Sequence, residues 1–312
     1  MKTYDWRPTE CADKNYPMKI VAGDFIFADG SSIYIPAGRL LVNGWGERGS
    51  THIAGDDLKP IPVAVRISWF SFTEDRFFAG TFDLPHDQIG RVFAEGFVSP
   101  ITGHRETYDR IMVGVAPGGA LAVWVGGHGL VREVGFFAAK EAALDWRVVL
   151  DNPQVSREQY LAMVKQEEMS KEQLRYLEVN GIPRGLWQRY RTRYDWKPEV
   201  LGVYRVSRFW VKLVNGESNS FDASLSSSYP WTLAALPRDL AVTWVARDGN
   251  EHSRTVSLDE VEVLSAFQKL LSANPRDPLR LQFEISDQGD DARVFLRNRE
   301  FVLELQQVSI GE

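Results

Sequence analysis

The side chains that most often carry catalysis are few in this sequence and lie far apart. The 312 residues include five His and a single Cys, Cys11. No two His are four residues apart, so none has the spacing that places two imidazoles of one helix on a metal ion. Cys11 cannot form an internal disulfide, and a zinc site would need further soft ligands nearby. The sequence predicts no metal and no other cofactor.

Motifs for nucleophilic or phosphoryl chemistry are also absent. The chain has no Gly-x-Ser-x-Gly elbow and no Gly-rich loop that ends in Lys-Ser or Lys-Thr. The glycine-rich stretches 117–119 and 126–129 could present backbone amides to an anion, but they lie between apolar runs, where tight turns favour glycine. Adjacent acids such as Asp56-Asp57 are typical of solvated turns. We therefore expect that the chain is not an enzyme.

The segment 184–197 interleaves aromatic and basic residues. It holds four Arg and one Lys against one Asp. Such a pattern could stack on nucleic-acid bases or contact lipid headgroups. It is also typical of aromatic rings that pack on a folded module while Arg stems cover them and reach water or acids. The net charge of −6 disfavours nucleic acid as a partner and favours the packing interpretation.

The composition is that of a globular protein. Apolar residues make up 44 % and charged residues 25 %, and the ten Trp, ten Tyr and seventeen Phe provide a large apolar surface to bury. The length suggests about two domains. No stretch of about 18 apolar residues is present, so we predict no transmembrane segment.

The pattern along the chain predicts an α+β fold that is mainly antiparallel β. We expect a first β-rich module over residues 1–150, a helical connector over 151–200 and a second β-rich module over 201–312. Asp29-Gly30 between apolar runs is typical of a hairpin, and a further hairpin is predicted around 116–119. Two capping boxes, Ser156 with Gln159 and Ser170 with Gln173, predict two helix starts in the connector.

The two β-rich modules are predicted to be related. Residues 63–93 align with 240–267, so that Trp69 falls on Trp244. Asp83 and Ser257 then occupy the same place as expected N-caps of a helix. The shared order is hairpin, hairpin, helix, hairpin, which indicates a degenerate internal repeat.

The stretch Asn-Gly-Ile-Pro-Arg-Gly-Leu-Trp-Gln-Arg-Tyr-Arg-Thr-Arg-Tyr-Asp-Trp at 180–196 carries a resemblance. With Gly44-Trp45-Gly46, the apolar run 63–69, and Ala-Pro-Gly-Gly at 116–119 followed by Val123-Trp124, it resembles an uncharacterised proteobacterial family. Most members of that family are described as lipoproteins with a domain of unknown function. The resemblance extends over roughly residues 4–200.

The resemblance implies a function only indirectly. Genes of this family often lie beside genes for type VI secretion phospholipase effectors, and such neighbours are typically immunity proteins. This implies a protein that binds and neutralises a secreted lipase by covering its active site or its membrane-facing surface. It also implies a periplasmic or envelope-associated location, with the signal sequence already removed from the chain. The alternative location is the cytoplasm.

The residues that we expect to contact such a partner lie in three loops. They are Trp45 and Arg48, His128 and Arg132, and Trp231. Large aromatic and Arg side chains are the usual anchors of protein interfaces. For Trp45 and Trp231, packing in the core is an equally good interpretation. Two alternative functions stay open: an envelope protein that binds a small ligand such as a glycan or lipid in a cleft between the two modules, and a hydrolase whose nucleophile and base meet only in the fold.

Overall fold

The computed structural model describes residues 2–50, 55–99, 102–150, 154–203, 205–222, 232–286 and 292–311. The chain divides into two compact units: unit 1 comprises residues 1–99 and 104–188, and unit 2 comprises residues 189–312 and 100–103. Strands account for 47 % of the structure and helices for 20 %, which confirms the prediction of a β-rich α+β fold.

In its described residues, unit 1 contains fourteen strands and four α-helices, the last of which ends at the first residue of unit 2. In chain order they are β1 Thr3–Asp5, β2 Arg7–Ala12, β3 Met18–Ile26, β4 Ser32–Tyr34, β5 Leu40–Leu41, β6 Leu58–Pro60, β7 Ala64–Ser71, β8 Arg76–Asp83, α1 His86–Glu95, β9 Phe97–Val98, β10 Arg105–Glu106, β11 Arg110–Ala116, β12 Ala120–Gly127, β13 Leu130–Ala138, β14 Lys140–Ala142, α2 Arg157–Glu168, α3 Lys171–Asn180 and α4 Leu186–Arg189.

Two sheets form the body of unit 1. The first has the order β2-β11-β12-β13, and the second has the order β14-β8-β7-β3-β4, with β5 also paired to β3. β2 runs parallel to β11, and every other pair in these two sheets is antiparallel. β11 and β12 are almost completely buried on both faces, which explains why they consist nearly entirely of apolar residues and glycine.

Unit 2 contains ten strands and one helix among the residues that the structure describes. They are β15 Tyr194–Leu201, β16 Arg205–Leu213, β17 Ser218–Asp222, β18 Thr232–Ala234, β19 Pro237–Val245, β20 Glu251–Leu258, α5 Glu260–Ala273, β21 Leu279–Ile285, β22 Ala292–Arg297, β23 Val302–Leu305 and β24 Val308–Gly311.

The sheets of unit 2 follow the plan of unit 1. One has the order β18-β15-β21-β22-β23 and the other β17-β16-β19-β20-β24. β15 runs parallel to β21, as β2 does to β11. In both units the same hairpin precedes the helix: β7 and β8 before α1, and β19 and β20 before α5. One core cluster joins Phe209 and Trp244 of one sheet, Phe283 of the other, and Phe267 of α5.

The predicted helix starts are correct in the connector and wrong in the two modules. Ser156 and Ser170 both form complete capping boxes. Asp83 caps no helix, because it is the last residue of β8 and pairs with Ala64; α1 starts after Pro85 without a side-chain cap. Ser257 likewise lies in β20, and Asp259 caps α5 by accepting from the Glu262 amide.

The helices predicted as a separate connector belong to unit 1, which extends to Gln188. α2 contributes Val164 to a cluster that includes Phe70 and Phe72. Arg157 at the start of α2 also forms an ion pair with Asp75 at 2.6 Å. Apolar packing and this pair fix α2 on the unit, so residues 154–188 are part of the first module.

Candidate functional site

A cleft of about 1030 Å³ lies in unit 1 and is named the unit 1 cleft here. Its walls come from the β7–β8 turn and β8, the β11–β12 turn, β13 and β14, helices α2 and α3, and the segment 181–188. Two stretches that carried the family resemblance, 116–119 and 180–196, therefore contribute to the same concave surface.

Apolar side chains cover much of the unit 1 cleft. Phe136 and Phe137 of β13 lie on one side, and Leu174 and Leu177 of α3 lie on another, with Ile182 beyond the end of α3. All five are half-buried, so part of each remains open to the cleft. Leu174 and Leu177 are three residues apart, which places them on one face of α3.

Trp187 closes one side of the cleft and is only 2 % exposed. Its ring meets Tyr16 edge-to-face at 5.4 Å and lies 6.3 Å from the Trp45 ring. Its indole Nε1 has no hydrogen-bond acceptor among the described residues. A buried indole N–H usually has a hydrogen-bond acceptor. Trp187 therefore places a hydrogen-bond donor that lacks an acceptor in the lining of the cleft.

The polar groups at the cleft are largely bonded to one another. Both carboxylate oxygens of Glu74 accept the Gly118 amide at 3.1 Å. Arg76 and Glu141 form an ion pair at 2.5 Å. Gly118 has φ +71° and allows the turn that brings its N–H to Glu74. The Glu74 bonds hold the β7–β8 and β11–β12 turns together, and the ion pair joins β8 to β14. Lys165, Glu178 and Arg184 are the other charged residues of the lining.

The predicted contact residue Trp45 lies in the core. It is 3 % exposed and meets the Trp124 ring edge-to-face at 4.9 Å. The packing interpretation therefore accounts for this side chain. The loop that carries it covers Trp124 of β12, and the neighbouring Arg48 is exposed.

The other predicted contact residues have different surroundings. His128 and Arg132 are both exposed. His128 adopts φ 45° in the β12–β13 turn, and its Nδ1 lies 3.2 Å from Glu106. Trp231 lies outside the described residues. None of the four described contact residues, Trp45, Arg48, His128 and Arg132, lines the unit 1 cleft.

Arg48 has a charged neighbour in Arg110, the first residue of β11. Burial lowers the pKa of Arg110, the Asp109 carboxylate at 2.7 Å opposes that shift, and the charge of Arg48 lowers the pKa further. Arg7, Arg48 and Arg110 thus concentrate positive charge at this end of the first sheet.

The groups examined for catalysis are dispersed. Within the described ranges, no three His, Cys, Asp or Glu side chains lie close enough to hold a metal ion. Cys11 is fully buried, and its Sγ would be 3.0 Å from a Cβ added at Gly114. No helix in the described part of the chain is long and apolar enough to cross a membrane.

Comparison with known proteins decides the family. A family described as "Protein of unknown function (DUF2931)" matches residues 1–185. The chain belongs to the DUF2931 family. This confirms the expectation of an uncharacterised family, and the match covers nearly all of unit 1, including most of the residues that line the unit 1 cleft. No curated protein and no solved structure matches the chain.

Most of the cleft residues were missed by sequence reasoning. The segment 184–197 was singled out for its alternating basic and aromatic residues, and the part of it that lines the cleft is Arg184, Gly185, Trp187 and Gln188. The pair Phe136-Phe137 and the three-residue spacing of Leu174 and Leu177 were visible in the sequence. These side chains are only half-buried because of the way α3 and β13 pack in the fold. No local sequence pattern specifies that packing.

Proposed function

We propose that this DUF2931 chain is a binding protein whose unit 1 cleft takes up a lipid-like ligand with an apolar chain. The observation that carries the proposal is the cleft of about 1030 Å³ whose lining includes half-buried Phe and Leu side chains of β13 and α3. Its volume matches the upper end of the usual range for small-molecule sites, about 300–1,000 Å³. The proposal assigns no bond-making chemistry to the chain, and it includes a location in the cell envelope.

A lipid-like ligand fits the wall chemistry better than a glycan. A sugar needs many hydrogen-bonding side chains that are open to it. Here Glu74 is occupied by the Gly118 amide, and Arg76 by Glu141. An acyl chain needs only apolar contact, at about 0.8 kcal/mol for each buried CH₂ group. Lys165 and Arg184 also line the cleft and carry the charge that an anionic headgroup would meet.

Two substitutions on α3 provide the test. Leu177→Arg places a charge on the cleft wall, whereas Val179→Arg places the same charge on the same helix at a residue that is 74 % exposed and lines no part of the cleft. We expect the full chain to bind a fluorescent long-chain fatty acid and Leu177→Arg to weaken that binding at least about tenfold. Val179→Arg should bind like the wild type.

Two outcomes would refute the lipid proposal. One is that the wild-type chain binds neither a fluorescent fatty acid nor a fluorescent phospholipid. The other is that Leu177→Arg and Val179→Arg bind equally well while both have the wild-type melting temperature.

A second candidate is an immunity protein that neutralises a type VI secretion lipase effector. The exposure of Arg48, His128 and Arg132 on unit 1 favours it, because exposed Arg residues can anchor a partner. The direct test is co-purification with any type VI secretion lipase effector that is encoded beside this gene, together with an assay of lipase activity. Arg48→Glu combined with Arg132→Glu should abolish inhibition, and Arg175→Glu, an exposed residue of α3, is the matched control.

A further inference from the structure

Unit 2 contains a basic pocket of about 340 Å³ between the start of β21 and the turn that joins β22 to β23. It is lined by Asp277, Pro278, Arg280, Arg297, Asn298 and Arg299. We propose that this basic pocket binds a phosphate group. The inference is independent of the unit 1 cleft, because every lining residue lies in unit 2.

The charges around the basic pocket favour a doubly charged anion. Three Arg residues and one acidic residue, Asp277, line the basic pocket, which gives its lining a formal net charge of +2. A phosphate monoester carries about −1.5 to −2 charges at neutral pH. Guanidinium groups match phosphate oxygens with paired hydrogen bonds. Without an anion, the three like charges repel one another.

A neighbouring network adds no net charge to this balance. Arg280 lies 3.6 Å from Glu199, and Glu199 is itself 3.2 Å from Lys197. The Glu199 carboxylate therefore forms ion pairs with both Lys197 and Arg280. Counted with the lining, Glu199 and Lys197 leave the formal net charge at +2.

Asn298 gives a second, independent indication of a ligand. It lines the basic pocket and is only 5 % exposed. Its Oδ1 accepts the amides of Glu300 at 3.0 Å and Phe301 at 2.8 Å, which fixes the orientation of the side chain. Its Nδ2 consequently remains a donor, and it has no acceptor among the described residues. A buried donor without an acceptor is costly, and a phosphate oxygen would supply one.

The basic side chains are positioned by buried polar residues. Asp277 accepts the Arg299 amide at 2.7 Å and lies 3.4 Å from the Arg299 Nε. Gln282 accepts Arg297 Nη1 at 3.4 Å and donates to Glu199 at 2.9 Å. Asp277 and Gln282 are 5 % and 6 % exposed. Arg297 and Arg299 are thus anchored on both sides of Asn298.

The test measures binding of inorganic phosphate and of glycerol 3-phosphate to the full chain by calorimetry at low salt. Arg297→Gln and Arg299→Gln should each weaken binding about tenfold or more, because each removes a charge-assisted hydrogen bond. The control is Arg293→Gln, on the same strand, where Arg293 pairs with Glu304 at 2.7 Å and lines no part of the basic pocket. It should bind phosphate like the wild type.

A second arm distinguishes a soluble phosphate from a lipid headgroup. The same proteins are sedimented with phosphatidylcholine vesicles, with and without phosphatidic acid. Binding that needs phosphatidic acid and is lost in Arg297→Gln supports the proposal with the headgroup as the source. The proposal is overturned if neither phosphate, glycerol 3-phosphate nor phosphatidic acid binds. It is equally overturned if both pocket variants, folded by circular dichroism, bind like Arg293→Gln.

Discussion

Trp6 and Trp196 occupy equivalent positions in the two units. Trp6 Nε1 donates to the Pro60 carbonyl oxygen at 3.2 Å, and Trp196 Nε1 donates to the Ala235 carbonyl oxygen at 3.1 Å. Each acceptor lies shortly before a central strand, β7 or β19. Each Trp is followed by a basic residue and a proline at the start of the parallel strand pair. In both units the bond thus links the start of the strand of the parallel pair, β2 or β15, to the segment that leads into the central hairpin.

This equivalence predicts matching losses of stability. Trp6→Phe and Trp196→Phe each remove the indole donor and open a small cavity, and each leaves a carbonyl oxygen without its partner, in a part-buried bond at Pro60 and a buried one at Ala235. We expect each to lower the free energy of unfolding by about 2 kcal/mol or more. Urea denaturation followed by circular dichroism measures the effect. If either variant unfolds at the wild-type urea concentration, that bond is not a support of its unit.

The adjacent glycines of the β11–β12 turn should respond differently to alanine. Both have positive φ, +71° at Gly118 and +76° at Gly119. A Cβ at Gly118 meets nothing within 4 Å, whereas one at Gly119 would lie 2.4 Å from the Ala139 oxygen. Gly118→Ala should therefore cost about 1 kcal/mol for its backbone conformation. Gly119→Ala should cost about 1–3 kcal/mol more, because the backbone must also move.

Urea denaturation of the two glycine variants separates these costs, and each variant serves as the control of the other. Equal destabilisation would contradict the predicted contact with Ala139. Gly118→Ala should also keep ligand binding in the unit 1 cleft, since its amide can still donate to Glu74.

The single thiol should report the unfolding of unit 1. Cys11 is fully buried on β2, so a thiol reagent such as Ellman's reagent can reach it only after the unit opens. We expect negligible labelling of the native chain and complete labelling in high denaturant. Rapid labelling of the native protein would mean that Cys11 is accessible, and it would reopen the interpretation of this thiol as a nucleophile.

Much of the fold was predictable because local rules decide it. Asp29-Gly30 forms the expected turn between β3 and β4, where the Phe27 amide donates to the Ser31 oxygen. The capping boxes at Ser156 and Ser170 are also local signals. The helix starts predicted at Asp83 and Ser257 were wrong, because both residues pair within strands, and this pairing outweighs their preference for an N-cap position. Pairing depends on partners distant in the sequence, which a local signal does not report.

A clearer sign of the repeat was present in the sequence and was missed. Tyr-Asp-Trp-Arg-Pro at 4–8 recurs as Tyr-Asp-Trp-Lys-Pro at 194–198. The alignment of 63–93 with 240–267 started from the central hairpins and did not reach these strands. The candidate sites were harder to predict. In the sequence Trp45 resembles an interface anchor, and only the structure shows that it packs against Trp124 and Trp187. Asn298 becomes a candidate only when its Oδ1 is seen to accept two backbone amides, which leaves its Nδ2 as the unpaired donor.

Glu199 predicts a pH-dependent contribution to the stability of unit 2. Burial raises the pKa of Glu199, but hydrogen bonds from Gln282 and Lys197 and the charge of Arg280 outweigh it, so the pKa lies below the usual 4.5. A carboxylate with a depressed pKa stabilises the fold above its unfolded-state pKa, and this contribution is lost as the pH falls through the folded-state pKa.

Glu199→Gln keeps the size of the side chain and removes the charge that Lys197 and Arg280 face. We therefore expect Glu199→Gln to melt a few degrees below the wild type at about pH 7. The gap should close as the pH falls below about 4.5, where the wild-type carboxyl becomes protonated as well. Melting curves followed by circular dichroism at neutral and acidic pH measure this difference, and a gap that is the same at both would show that the charge of Glu199 does not stabilise the folded chain.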